Sequence, residues 1–142
     1  MENVLTLYNE LNGAGVKFYH WPMGEDRAAT LEIDGRYAIF MDFSNIPTAA
    51  DELVTVAHEG GHAVTGATHR VSSPYDLVAK HEYKADKWAV LRLIPAEALD
   101  HAVAEGYTDL YALADYFNVT VPFMKKAVCL HTHGNLAAEL YF

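Results

Sequence analysis

The feature that most restricts the fold of this chain is His58-Glu59-Gly60-Gly61-His62, set inside an apolar run. Leu53, Val54, Val56 and Ala57 lead into it, and Ala63 and Val64 follow. Apolar spacing of this kind predicts a helix. Its start is marked by Thr48, a hydroxyl cap, with Asp51 and Glu52 in the first turn, where the helix dipole favours acids. Residues four apart in a helix lie on one face, one turn above the other. His58 and His62 can therefore present two imidazoles to one metal ion, with Glu59 one step round from His58. That pattern supplies two zinc ligands and a general base to hold a water. Gly60 and Gly61 each cost about 1 kcal/mol in a helix interior relative to alanine. Their absent side chains would let another backbone or a substrate approach closely.

A catalytic zinc takes three protein ligands and keeps one position open. The next helical segment follows Pro74 and runs to about Ile94, with Pro95 as its stop. It supplies Glu82, and Asp86 shares the face of Glu82 at i, i+4. Glu82 would complete a two-histidine, one-glutamate site holding one zinc ion per chain. Asp86 is placed to accept the free ring N–H of a ligating histidine and so fix its tautomer. Ala85, between them, is small enough to let two helices come close. The alternative is a solvated acidic face on an amphipathic helix whose buried stripe is Leu77, Val78, His81, Ala85, Trp88 and Ala89.

The rest of the chain frames this centre. At 142 residues, 51% of them hydrophobic, it reads as one globular domain, 1–142. A formal charge of −9 argues against binding a phosphate backbone or an anionic membrane surface. No apolar run approaches the roughly 18 residues of a membrane span. The N-terminus has neither a basic segment nor an apolar one, so no signal peptide is expected. One cysteine, Cys129, cannot form an internal disulfide, and a cytoplasmic location is the default. Residues 1–46 read as a short helix through Val4, Leu7 and Leu11, ended by Gly13 and Gly15, and then strands. These are Val16–Trp21, Ala28–Ile33 and Tyr37–Phe43, with Asp34-Gly35 as a hairpin turn. Residues 47–94 hold the two long helices, and 95–142 read as shorter ones at Pro95–Ala104, Thr108–Phe117 and Thr120–Leu130. The expected class is α+β, a small antiparallel sheet packed on a helical bulk.

HEGGHA followed by HEYKADKWAVLRLIP resembles the ImmA/IrrE family of metallopeptidases, small proteins of phages, mobile elements and bacterial chromosomes. The family pairs HExxH on one helix with a Glu-x-x-Ala-Asp/Asn-x-Phe/Trp-Ala segment on the next, leading to a Pro. Glu82, Ala85, Asp86, Trp88, Ala89 and Pro95 fill that second segment here. The stretch Tyr37-Ala38-Ile39-Phe40-Met41-Asp42 also resembles a family strand, and the likeness covers roughly residues 28 to 130. The resemblance implies a zincin-like, gluzincin-type site with His58, His62 and Glu82 as ligands and Glu59 as base. It also implies a protein substrate, often a helix-turn-helix repressor encoded nearby. Gly60 departs from the larger residue usual in the family, which bears on the shape of the pocket.

Other readings concern residues outside this set. His69, His81, His101, His131 and His133 are lone histidines whose ordinary role is structural or solvated. His131-Thr132-His133, beside Gly134, reads as a loop that could reach the site as an oxyanion stabiliser. Tyr75 and Tyr83 could be electrophilic helpers or packing residues. Residues 109–127 resemble a helix-turn-helix, with Asn118 at the turn and Thr120 as a cap. Its second helix carries only Lys125 and Lys126, so a structural or protein-docking role is expected rather than DNA binding. A stoichiometric anti-repressor without catalysis is a further alternative, against which stands the base at Glu59.

Overall fold

The computed structural model describes residues 3–68 and 74–142. The chain begins with α1 (Val4–Gly13), whose first turn is closed by the Asn3 side chain accepting the Leu5 N–H at 2.7 Å. Three strands follow, β1 (Lys17–His20), β2 (Ala28–Ile33) and β3 (Arg36–Met41). Asp34 and Gly35 both take positive φ, 53° and 76°, the backbone of the tight hairpin turn that Asp-Gly favours. Helices α2 (Ala49–Thr65), α3 (Tyr75–Leu93), α4 (Ala96–Ala104), α5 (Leu110–Phe117) and α6 (Val121–His133) complete the chain. The expected caps are used: the Thr48 hydroxyl accepts from Asp51 N–H, and Thr120 accepts from Phe123 N–H. Asn118 takes the left-handed conformation between α5 and α6.

The sheet is mixed rather than antiparallel throughout. Its order is β1-β3-β2, with β2 antiparallel to β3 but β1 parallel to it. The reason lies in residues 21–27, which carry the chain from β1 past the end of β3 to start β2 on the far side. Asp42, just beyond β3, organises that crossing. Its carboxylate accepts the Met23 N–H, and its own N–H donates to the Arg27 carbonyl at 2.8 Å. The Asn45 amide donates to the carbonyls of Gly24 and Asp26. A strand entering this crossing and a strand ending beside it necessarily run the same way.

Helix α2 lies at the centre, packed against α1, α3, β2 and β3. Leu7 and Leu11 from α1, Ile39 and Met41 from β3, and Leu53 and Val56 from α2 are buried together with Val90 and Ile94. The glycines of the pentapeptide set how close two of these neighbours come. A Cβ on Gly61 would lie 2.5 Å from the Ala85 carbonyl oxygen, so α2 and α3 touch backbone to backbone. At Gly60 a Cβ would instead meet the Leu11 side chain at 2.8 Å. Gly60 thus faces α1 and the core, and the open space it leaves is taken by Leu11, not by the cleft described below.

Two local expectations change. Helix α6 runs three residues beyond Leu130 and stops at Gly134, which has φ 75°, so His131 and His133 are helical rather than in a loop. Leu77, placed on the buried stripe of α3, is exposed in the first turn of that helix, while Ala85 and Ala89 are buried as expected.

Candidate metal centre

His58 and His62 point from one face of α2 toward α3, where Glu82 meets both. The two Nε2 atoms are 3.2 Å apart. Glu82 Oε2 lies 2.8 Å from His58 Nε2, and Oε1 lies 3.1 Å from His62 Nε2. These ligand atoms fall within 4.8 Å of one another and could hold a metal ion. Tetrahedral zinc with bonds of about 2.0 Å separates its nitrogen ligands by roughly 3.3 Å, so the spacing suits such an ion.

The outer ring atoms give a second test of fit. His58 Nδ1 donates to Asp86 Oδ1 at 2.7 Å, and His62 Nδ1 donates to the Ala67 carbonyl at 2.6 Å. Both partners are acceptors, so both Nδ1 atoms carry their proton and both Nε2 lone pairs are directed inward. Two lone pairs and a carboxylate converging on one point require a cation. In the metal-free protein a proton takes that part. Burial disfavours a charged His58, but hydrogen bonds to the Asp86 and Glu82 carboxylates outweigh it and push the imidazole up to about 10. His62 is also raised: burial opposes its charge, and the Glu82 carboxylate and the Ala67 carbonyl overcome it. Hydrogen bonds from both histidines hold Glu82 well below the usual carboxylate range.

Glu59 is buried on the side of α2 that faces β2. The Thr30 hydroxyl lies 3.0 Å from Glu59 Oε1 and 3.1 Å from the Glu59 carbonyl oxygen, within donating distance of both. Strand β2 therefore inverts the usual polarity of a half-buried strand: Thr30 faces the helices while Leu31 and Ile33 are exposed. Thr30 has a polar partner inside, which removes the penalty for burying its hydroxyl. Sequence reasoning missed this residue, because alternation with Leu31 and Ile33 assigns Thr30 to the outward, polar phase of the strand. Nothing in the sequence marked that phase as facing Glu59.

The centre lies in a cleft of about 720 Å³. One wall is the edge strand β2 through Ala28 to Leu31; the floor is α2 with His58, Glu59 and His62. Thr120, the cap of α6, and Pro122, Phe123 and Lys126 within it complete the opposite wall, beside Glu82 and Asp86.

The remaining candidates are elsewhere. His131 Nε2 donates to the Ile94 carbonyl at 2.6 Å, and His133 stacks on Tyr141 at 3.8 Å between ring centres. His101 is exposed beside Glu105, and His69 lies outside the described residues. His81 is half-buried on α3, and neither it nor the exposed Tyr75 and Tyr83 lines the cleft. The two lysines of the helix-turn-helix-like segment are both engaged within the chain. Lys125 lies over the Phe142 ring at 5.7 Å, and Lys126 donates to Asp86 Oδ2 at 2.9 Å.

A model of the IrrE N-terminal-like domain, Peptidase_M78, matches residues 14–128, from the turn before β1 to the middle of α6. The chain belongs to that IrrE-like peptidase family. No match to a curated protein is found. Membership of the IrrE-like family fits the small sheet and helical bulk of this fold, supports a metallopeptidase-type function and implies a protein substrate. Its span also takes in β1, which lies before the stretch where the sequence resemblance begins. No helix among the described residues is long and apolar enough to cross a membrane.

Proposed function

We propose that the protein is a cytoplasmic zinc-dependent endopeptidase. It hydrolyses a peptide bond in a protein substrate, a helix-turn-helix transcriptional repressor or regulator, and so relieves repression. The observation that carries this reading is the inward convergence of two imidazole lone pairs and the Glu82 carboxylate directly beside a buried carboxylate, Glu59. A structural or purely binding site has no use for that neighbouring base. The repressor as substrate rests on the resemblance of the two motifs, and the phage or mobile-element setting rests there too.

His58, His62 and Glu82 would hold the ion, with Asp86 fixing the orientation of His58. A zinc ion held there supplies a Lewis acid and lowers the pKa of a water to about 7. Glu59 would take the proton of that water on a carboxylate oxygen and pass it to the leaving amine nitrogen. Thr30, within donating distance of Glu59, would keep the carboxylate aimed. The edge of β2 along the cleft offers unpaired backbone groups to an extended peptide, so a substrate segment can dock by adding a strand.

The test uses the purified protein with zinc and the regulator encoded beside it, followed by gel and mass spectrometry. Glu59→Gln keeps shape and hydrogen bonding but removes the base. It should retain zinc and partner binding while cleavage falls by roughly 10²–10⁴-fold. A Glu59→Gln protein that relieves repression as well as wild type would replace catalysis with a stoichiometric anti-repressor role.

A further inference from the structure

Asp86 uses both of its carboxylate oxygens. Oδ1 accepts from His58 Nδ1 at 2.7 Å, and Oδ2 accepts from the Lys126 ammonium at 2.9 Å. The lysine comes from α6, 40 residues further along the chain, and its side chain is partly exposed at the cleft wall. A carboxylate with one partner can turn about its last torsion, which is broad and nearly two-fold. Pinned at both oxygens, it presents Oδ1 to His58 in one orientation only. The Asp86 side chain is only 19% exposed, so an Oδ2 stripped of its partner would be left poorly solvated.

We propose that Lys126 is a positioning residue of the metal centre. By holding Asp86 it fixes the aim of the His58 Nε2 lone pair, and it makes metal affinity depend on the seating of α6. This rests on the metal reading given above and extends it to a helix that supplies none of the three ligands. It also gives a use to one of the two lysines of the helix-turn-helix-like segment, in which a nucleic-acid role has no free cation among these two.

The experiment is competition for zinc between a chelator and four proteins: wild type, Lys126→Met, Lys126→Arg and Asp86→Asn, with the Lys126→Met/Asp86→Asn double variant. Outer partners of metal ligands typically contribute about 10–100-fold in affinity. Lys126→Met keeps the apolar stem and should weaken zinc by about 10-fold, the low end of that range. Lys126→Arg should restore most of the loss. In the Asp86→Asn background Lys126→Met should add nothing, because its effect passes through that carboxylate. Should Lys126→Met unfold, Lys126→Gln, which can still donate to Oδ2, takes its place and should lose less than 10-fold but stay weaker than wild type. If removing the ammonium leaves affinity unchanged, or tightens it by relieving repulsion of the cation, the positioning role is wrong. Additive losses in the double variant would overturn it as well. Failure of the wild type to take up zinc would instead remove the metal reading, and this inference with it.

Discussion

On α2 two histidines four residues apart bring their Nε2 atoms to 3.2 Å from each other, whereas on α6 two histidines two residues apart part company. His131 turns its Nε2 to the Ile94 carbonyl, and His133 lies flat against Tyr141. Both pairs sit in helices, and both occur in a chain unusually rich in this residue, with eight histidines. The difference is angular. Four residues return a helix to nearly the same face, while two turn it by roughly 200°. It is also a difference of surroundings. The first pair meets carboxylates on α3 and is half-buried or buried, so its charge and protonation are fixed by neighbours. The second pair meets no carboxylate in these contacts: His131 reaches back to the Ile94 carbonyl, and His133 stacks on a nearby ring.

The sharpest way to break this comparison is to exchange losses. His62→Ala should abolish stoichiometric zinc binding, and His131→Ala and His133→Ala should leave it intact, as measured by elemental analysis of the dialysed proteins. Full zinc in His62→Ala would mean that the ligands are misassigned. A smaller effect separates the two glycines between the ligands. Gly61→Ala drives a methyl into the Ala85 backbone and should destabilise the fold by about 1–3 kcal/mol in denaturant titration, despite the gain in helix propensity. Gly60→Ala meets only the flexible end of Leu11 and should shift stability by less than about 1 kcal/mol. Equal effects at the two positions would mean that α2 and α3 are further apart than the geometry indicates.

The mildest test is pH. His58 is raised from the usual 6.5 to about 10 in the metal-free protein. Its contribution to stability is therefore fully present below 6.5 and is lost as pH rises through about 10. Thermal melting of the chelator-treated protein should fall across that window, and Asp86→Asn should flatten the fall. His131→Ala should not. A melting curve independent of pH in wild type would place His58 outside the carboxylate cluster.

Much of this was readable from residues that act locally. Thr48 and Thr120 cap the helices they precede, and Pro95 and Asn118 stand at helix boundaries for reasons contained in their own backbone. His58, His62, Glu82 and Asp86 announced themselves by spacing within single helices. What stayed hidden depended on pairing between distant segments. The parallel docking of β1 follows from a crossing held by Asp42 and Asn45, whose hydrogen bonds reach back about twenty residues. Thr30 looked like any threonine in an alternating strand until β2 was laid beside Glu59. Lys126 read as half of a weak basic pair on a helix, and its partner lay three helices earlier. The extension of α6 past Leu130 was missed because Gly134, not the histidines, sets its end.

The division of the candidate ligands between two helices has a mechanical consequence. An ion shared by His62 and Glu82 would act as a removable cross-link, closing a loop of 20 residues between two segments that otherwise touch through Gly61 and Ala85. Ligand that binds only the folded chain adds about 2.7 kcal/mol of stability at a hundred times its dissociation constant. Free zinc concentration would then set how often the α2–α3 seam opens. The same bond that arms the cleft would also govern how long the protein survives the proteases around it.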